Sequence, residues 1–288
     1  MLNTFIQMLI TGIALGFVYG LIGIEYTIIW NAVGLLNFSH ANIITLGAYV
    51  IAGIFFNRLG MNIAVSFILG AIVMTIFGYA SAMGIFYPLR KKKTIFTAMA
   101  TILFGKILYE AVRLWYGVEE FTVPGLMSGT FHIGNYTVAK TYVYFIAISL
   151  VVVGALQLFL NYTKTGKAMR CVSQNKQASE LMGIDVRQNI CVSVIISFLI
   201  CMIIGFMIIP LYAVKLTMAD TIGLKGFSAG VVGGFGYLPG CILGGVIVGI
   251  IESLSVIVIP SVYKDVVAYA VLIIFLLIKP GGILGKRA

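Results

Sequence analysis

Apolar windows of about 20 residues recur along this chain, and that spacing decides most of what it can fold into, because a helix of that length crosses a hydrocarbon core. They fall at 4–30, 40–56, 63–87, 95–116, 141–160, 190–212, 239–259 and 263–279. A shorter glycine-rich segment, 226–237, is closed by Pro239. Of 288 residues 61% are hydrophobic and 10% charged, with mean hydropathy +1.09, which is more apolar surface than a soluble core can bury. A membrane β-barrel would show short alternating strands instead. The expectation is an all-α polytopic membrane protein of about eight transmembrane helices plus a re-entrant or broken glycine-rich segment, with 1–288 forming a single membrane domain.

A formal net charge of +10 would suggest nucleic acid in a soluble protein, but here the basic residues cluster between apolar windows. Arg90, Lys91, Lys92 and Lys93 form one cluster, Lys164, Lys167, Arg170, Lys176 and Arg187 a second, and Lys279, Lys286 and Arg287 a third. The positive-inside rule places all three in the cytoplasm, with no nucleic-acid role. Connection 117–140, carrying Glu119 and Glu120, then lies outside together with 213–225 and 260–264. The N-terminus is expected outside and the C-terminus inside, and the count closes only if 226–237 enters the membrane. Gly230, Gly233, Gly234, Gly236 and Pro239 weaken a continuous helix there, and broken backbone at membrane depth needs protein or a water-filled cavity around it. Residues 1–11 hold no Lys or Arg, so a cleaved signal peptide is not expected. Cys171, Cys191, Cys201 and Cys241 lack CxxC spacing and read as reduced packing residues, neither disulfides nor metal ligands.

Small residues at four-residue spacing are dense: Gly12, Gly16 and Gly20; Gly236, Gly240 and Gly244; Gly245 and Gly249. Such spacing lets helix backbones approach closely, inside one bundle or between subunits. Ionisable residues inside spans are functional candidates by default. Lys106, Glu110 and Arg113 stand at i, i+4 and i+7 and are expected to form a buried ion-pair cluster. Glu25 and Glu252 lack a local partner and are candidates for the lining of a pathway or for a bond between helices. Asn37, Ser39, His40 and Asn42 gather polar groups at a span start, which suits a pathway or helix capping. The GxSxG string at Gly226, Ser228 and Gly230 is not read as a nucleophile elbow, since that motif needs a strand before it and a histidine after it, and His40 and His132 both lie upstream.

The one extended polar island is 161–188, NYTKTGKAMRCVSQNKQASELMGIDVRQ. Asn175 is placed to cap a short helix over 176–182, Ala178, Leu181 and Met182 share one face, and Gly183 suits the left-handed residue that ends a helix. Read alone, this is a surface helix between two spans.

Gln177, Ala178 and Ser179 followed by Gly183 resemble the EAA-type coupling motif of ABC-importer permeases, Glu-Ala-Ala-x-x-x-Gly, with Gln in place of Glu at the first position and Ser in place of Ala at the third. GLLNFSHANIITLGAY (34–49), YPLRKKK (87–93), TKTGKAMRCVSQNKQASELMGID (163–185), GLKGFSAGVVGGFGYLPGCILGGVIVGIIESL (223–254) and KPGGILG (279–285) are similar, in order and spacing, to the shorter permease of branched-chain amino-acid ABC importers. The resemblance covers nearly the whole chain and is least distinctive over 118–141. It implies a single ABC-importer permease domain in a bacterial or archaeal plasma membrane. Its partners would be a second permease subunit, two cytoplasmic ATP-binding subunits and an extracytoplasmic binding protein delivering leucine, isoleucine or valine. Gly166, Lys167, Arg170, Gln177, Ala178, Ser179, Leu181, Met182 and Gly183 would couple it to the ATPases. ATP would bind those partners, since no GxxxxGK[ST] is present, and the chain itself would be no enzyme and carry no cofactor. Similar permeases serve urea, short amides or other amino acids, so the cargo stays open, and an ion-coupled secondary transporter is the competing class.

Overall fold

The computed structural model describes residues 2–133, 136–279 and 281–285; Lys286 and Arg287 of the third basic cluster lie outside the described residues. Among these, eight helical stretches are long and apolar enough to cross a membrane: Thr4–Val33, His40–Arg58, Ile63–Leu89, Thr94–Tyr116, Lys140–Tyr162, Val186–Ile208, Leu238–Ser255 and Ser261–Ile278. This is the all-α polytopic architecture that the apolar spacing requires, with ends within a few residues of those read from sequence. Contacts divide the chain into two compact units, one of Met1–Thr27, Pro124–Val152 and Asp220–Ala288, the other of Ile28–Val123 and Val153–Ala219.

In the first unit helices meet backbone to backbone. Helix α1 (Leu2–Val33) contributes its N-terminal part here. It runs antiparallel to the helix Leu238–Ser255, and a Cβ on Gly16 would lie 2.6 Å from Val246 Cα, one on Gly12 2.8 Å from the Gly249 carbonyl oxygen. The glycine spacing of both helices is therefore used for packing within this unit. Asp220–Gly233, a helix of 14 residues, is about 21 Å long at 1.5 Å per residue, short of the roughly 30 Å of a hydrocarbon core. It packs on both, with Gly226 against Ile22, Gly233 against Gly240 and Gly244 against Ala229.

From the sequence, 213–225 is expected to be a connection and the break to fall at 226–237. The structure corrects both boundaries: the helix already begins at Asp220, so Lys225 is helical, and Gly230 and Gly233 lie inside it. The Gly240 backbone presses onto Gly233 and the Phe235 ring lies against Gly230, and that packing outweighs a propensity cost of about 1 kcal/mol each. The break itself is narrower. Gly234 and Gly236 take φ of +113° and +93°, conformations that side chains disfavour, and Pro239 sits in the first turn of the next helix, where its missing N–H costs nothing. The chain after the last span returns to this point. Ile283 and Leu284 amides donate to the Val232 and Gly233 carbonyls at 2.9 and 3.1 Å, so two of the last carbonyls of the short helix, which lack helical partners, are satisfied. A two-stranded antiparallel hairpin, β1 (Thr130–Ile133) and β2 (Tyr136–Ala139), pairs Thr130 with Ala139. It lies within the connection 117–140 expected from the sequence.

In the second unit α2 (His40–Ala48) continues as a π-helix, Tyr49–Arg58. Next come α3 (Ile63–Ser81), a π-helical turn Ala82–Phe86, the single turn α4 (Tyr87–Leu89) and α5 (Thr94–Tyr116). Helix α6 (Lys140–Tyr162) begins in the first unit and ends in this one. Two short helices, α7 (Lys164–Gln174) and α8 (Lys176–Leu181), precede α9 (Val186–Ile208). In chain order the helices of the first unit are then α10 (Asp220–Gly233), α11 (Leu238–Ser255) and α12 (Lys264–Ile278). Helix α9 is the centre of the second unit: a Cβ on Gly47 of α2 would lie 2.7 Å from Met202 Cα, and one on Gly78 of α3 3.2 Å from Ile195 Cα. Beyond its C-terminal end, Phe121 and Val214 exchange backbone hydrogen bonds of 2.8 and 3.3 Å. The rings of Tyr116 and Phe121 stand 5.2 and 5.8 Å from that of Tyr49. Helices α4, α7 and α8 occupy the opposite end of this unit.

If glycine contact holds the first unit together, Gly16→Leu must overpack the α1–α11 crossing at a cost of about 1–3 kcal/mol. A lowered thermal unfolding midpoint in detergent is expected, while Gly154→Leu, where nothing lies within 4 Å of an added Cβ, is expected to leave it unchanged. Equal responses from the two variants would refute this account.

Candidate functional site

The polar island folds as α7 and α8, and each end has a chemical cause. The Thr163 hydroxyl accepts from the Gly166 amide at 2.9 Å and starts α7. Any side chain at Gly166 would strike the Phe159 carbonyl, which is how α7 folds tightly back on the end of α6. Lys167 and Arg170 face outward from the buried Gly166, Met169 and Val172, and Arg170 Nη1 donates to Asn161 Oδ1 at 3.0 Å. Asn175, in extended backbone, both ends α7 and begins α8, its side chain accepting from the Ala178 amide at 3.0 Å. Helix α8 closes with two reverse bonds, Ile184 N–H to the Ser179 carbonyl at 3.0 Å and Gly183 N–H to the Glu180 carbonyl at 3.1 Å, with Gly183 at φ +80°. The cap and the stop thus fall on the residues expected.

What α8 presents follows from that frame. Ser179 is buried and donates its hydroxyl to the Asn175 carbonyl at 2.8 Å. Gln177 faces outward and Ala178 is half-buried. Leu181 and Met182 are 90% and 70% exposed, two apolar side chains held clear of the rest of the chain. The surroundings are basic: Arg90 lies 3.6 Å over the Tyr87 ring and Arg187 5.7 Å from the same ring centroid, so the clusters around 90–93 and 164–187 share one end of this unit. Lys176 Nζ donates to the Val33 carbonyl at 2.6 Å. Burial, and then the charge of Arg90, hold this ammonium below the usual lysine range.

The first unit contains a buried charge cluster. Lys225 on α10 and Glu252 on α11 are 3% and 4% exposed. Lys225 Nζ donates to Glu252 Oε1 at 2.6 Å and stands 2.6 Å from Asp265 Oδ1 on α12. Three helices are thereby joined by one ammonium, with the Tyr19 ring centroid 5.8 Å away. Glu252 thus makes a bond between helices, while Glu25 is fully buried on α1. Lys225 and Asp265 are not among the residues expected from sequence, because both stand at the margins of connections. Their only signal is charge at the edge of apolar windows, and it is ambiguous, because Lys215, Asp220 and Lys264 stand close by as alternative partners.

The structure also places two other groups of candidates. The Asn37 side chain accepts from the Ser39 hydroxyl at 2.5 Å and the Ser39 amide at 3.1 Å, and the Asn37 backbone carbonyl lies 3.3 Å from His40 Nδ1. The turn packs on α5, where the Phe38 amide donates to Thr101 Oγ1 at 3.3 Å and a Cβ on Gly105 would lie 2.7 Å from Asn42 Nδ2. Asn37, Ser39 and His40 therefore build a buried turn, and Ser39 makes no side-chain cap bond. Lys106, Glu110 and Arg113 are not a buried cluster. Glu110 and Arg113 do pair at 3.0 Å, but both side chains are about half exposed, 53% and 52%, and Lys106 stands 5.6 Å from the Tyr109 ring centroid instead. The reason is the stripe α5 turns inward, Thr97, Thr101, Phe104, Gly105, Leu108 and Val112, which leaves the three charges on the outer face.

Residues 8–276 match the family described as branched-chain amino acid transport system / permease component. The chain is 30% identical to the high-affinity branched-chain amino acid transport system permease protein LivH of Salmonella typhimurium, over 98% of this chain and 96% of that protein. It is 29% identical, over the same shares, to the corresponding permease protein BraD of Pseudomonas aeruginosa. Among solved structures, PsaBC from Streptococcus pneumoniae in complex with Fab covers 96% of this chain and 91% of its own, with TM-score 0.49 and 14% identity.

Removing Lys225 leaves two carboxylates at the junction of three helices without their cation. Lys225→Met is expected to cost about 3–5 kcal/mol, and neutralising its partners in the triple variant Lys225→Met, Glu252→Gln, Asp265→Asn to restore most of it. Unfolding midpoints of the three proteins check this; a triple variant no better than the single one would count against the cluster as an electrostatic unit.

Proposed function

The chain belongs to the family of permease components of branched-chain amino acid transport systems, and on that premise we propose that it forms half of the membrane pathway of an ATP-driven importer for leucine, isoleucine or valine. A second permease completes the pathway, two ATP-binding subunits sit on the cytoplasmic face, and an extracytoplasmic binding protein delivers the amino acid. The chain itself binds no nucleotide and carries out no chemistry. ATP acts through the different contacts that the ATPases make with two permease states, since an effector shifts an equilibrium only by its differential affinity for those states.

The observation that carries this reading is α8. Its start is fixed by Asn175 and its end by Gly183, so Leu181 and Met182 project from a short rigid helix. An exposed apolar pair on an otherwise basic surface suits a cleft in a partner protein. The two basic clusters at the same end support a cytoplasmic position for it, and with it an outside N-terminus. Gln177, Ala178 and the outward Lys167 and Arg170 rim the contact, while the buried Ser179 and Gly166 hold the helices in place.

Reconstitution with the four partner chains tests the reading. Uptake of tritiated leucine is expected only with ATP on the α8 side and binding protein on the other, and uptake that followed an ion gradient without ATP would overturn it. The double variant Ala178→Trp, Gly183→Val places a bulky ring at the contact and a β-branched residue in a left-handed position, at a cost on the order of 1 kcal/mol or more locally. It is expected to insert normally yet lose the ATPases or uncouple hydrolysis from uptake. Normal stimulation by binding protein in that variant would remove α8 from the coupling contact.

A further inference from the structure

The end of α1 is built to be held. Its last residue, Val33, offers one of the terminal carbonyls that have no partner within the helix. The next residue, Gly34, turns the chain away with φ +77° while its amide bonds back to the Trp30 carbonyl at 2.8 Å. The Val33 carbonyl is thereby left facing Lys176 Nζ, 2.6 Å away. A Cβ on Gly34 would come within 3.3 Å of that nitrogen, so the approach is close. An ammonium on a helix's terminal carbonyl is favoured twice, by a charge-assisted bond and by the negative end of the helix dipole. The bond crosses a cleft walled by Trp30, Asn31 and Gly34 on one side and by residues 172–177 on the other.

Lys176 is also the first residue of α8, next to Asn175, the single residue where α7 stops and α8 starts. A push on Leu181 and Met182 tilts α8 about that corner, and the Lys176 side chain lies on it. We propose that Lys176 is the positioning residue through which displacement of α8 is delivered to the end of α1, by its bond to the Val33 carbonyl. This rests on the coupling reading of α8 given above. A relay of this kind requires one element that both ends bias, and here that element is the α8 corner with the last turn of α1.

The test uses the full complex in liposomes. In Lys176→Met the ATPases are expected to remain bound and to hydrolyse ATP, because the Leu181 and Met182 surface is untouched, while leucine uptake per ATP hydrolysed falls about tenfold, the scale on which one charged hydrogen bond shifts an equilibrium. Lys176→Arg, which keeps a charged donor, is expected to recover most of the ratio. A second readout needs no cargo. Spin labels on Asn31→Cys and Ser173→Cys, with the exposed Cys171 replaced by serine, report the separation across the cleft. That separation is expected to stay constant on ATP-vanadate trapping with Lys176 and to widen or spread in Lys176→Met. Identical distance distributions in the two proteins, or unchanged coupling in Lys176→Met, would overturn the relay. If the complex with wild-type Lys176 bound its ATPases and hydrolysed ATP but took up no leucine, the cargo reading alone would fail, and the label distances on ATP-vanadate trapping would still decide the relay.

Discussion

Apolar side chains gain nothing by turning from lipid to one another, so a membrane helix must find its cohesion in close backbone contact. In this protein glycine supplies it. Gly12, Gly16 and Gly20 of α1 meet α11 at Gly249, at Gly245 with Val246, and at Ile242, and α10 fits into the same unit through Gly226, Gly233 and Gly244 of the facing helix. That intimacy is what allows α10 to be too short to span. Where its helix stops at Gly234, the Val232 and Gly233 carbonyls receive the amides of Ile283 and Leu284, and no open backbone is left to lipid at those positions.

Charges are treated in two ways by the two units. Lys225 is buried with Glu252 and Asp265 and joins α10, α11 and α12, so the short helix is tied to its neighbours by a bond that lipid cannot compete for. Glu110 and Arg113 pair along one face of α5 and stay half exposed among Ile102, Leu103, Ile107 and Leu114. Their pairing is local and needs no second helix. Spacing in the sequence looked more persuasive for the second group than for the first, yet burial chose the first.

The surface proposed for coupling is made almost wholly by capping chemistry. Thr163, Asn175 and Gly183 satisfy amides or carbonyls at the ends of α7 and α8, and Asp185 does so at the start of α9, all within a few residues. Rigidity matters for the proposed role, because a helix that frays on contact absorbs a push without passing it on. The bond from Lys176 to Val33 then extends this locally built piece to the end of α1.

The sequence by itself determined what depends on near neighbours. Apolar windows set eight spans, since helix length in lipid is fixed by bilayer thickness. Asn175 and Gly183 set the ends of α8, since caps involve residues within five positions, and the family was legible in motifs running from Gly34 to Gly285. Tertiary structure decided everything that joins distant residues. The partner of Glu252 lies 27 positions away and that of Lys176 143. The start of α10 at Asp220 and the outward face of α5 followed from which surfaces neighbours cover. The π-helical stretch Tyr49–Arg58 likewise had no local signal. A cap carries its partner beside it in the chain; a buried charge or a glycine contact acquires one only when helices have packed.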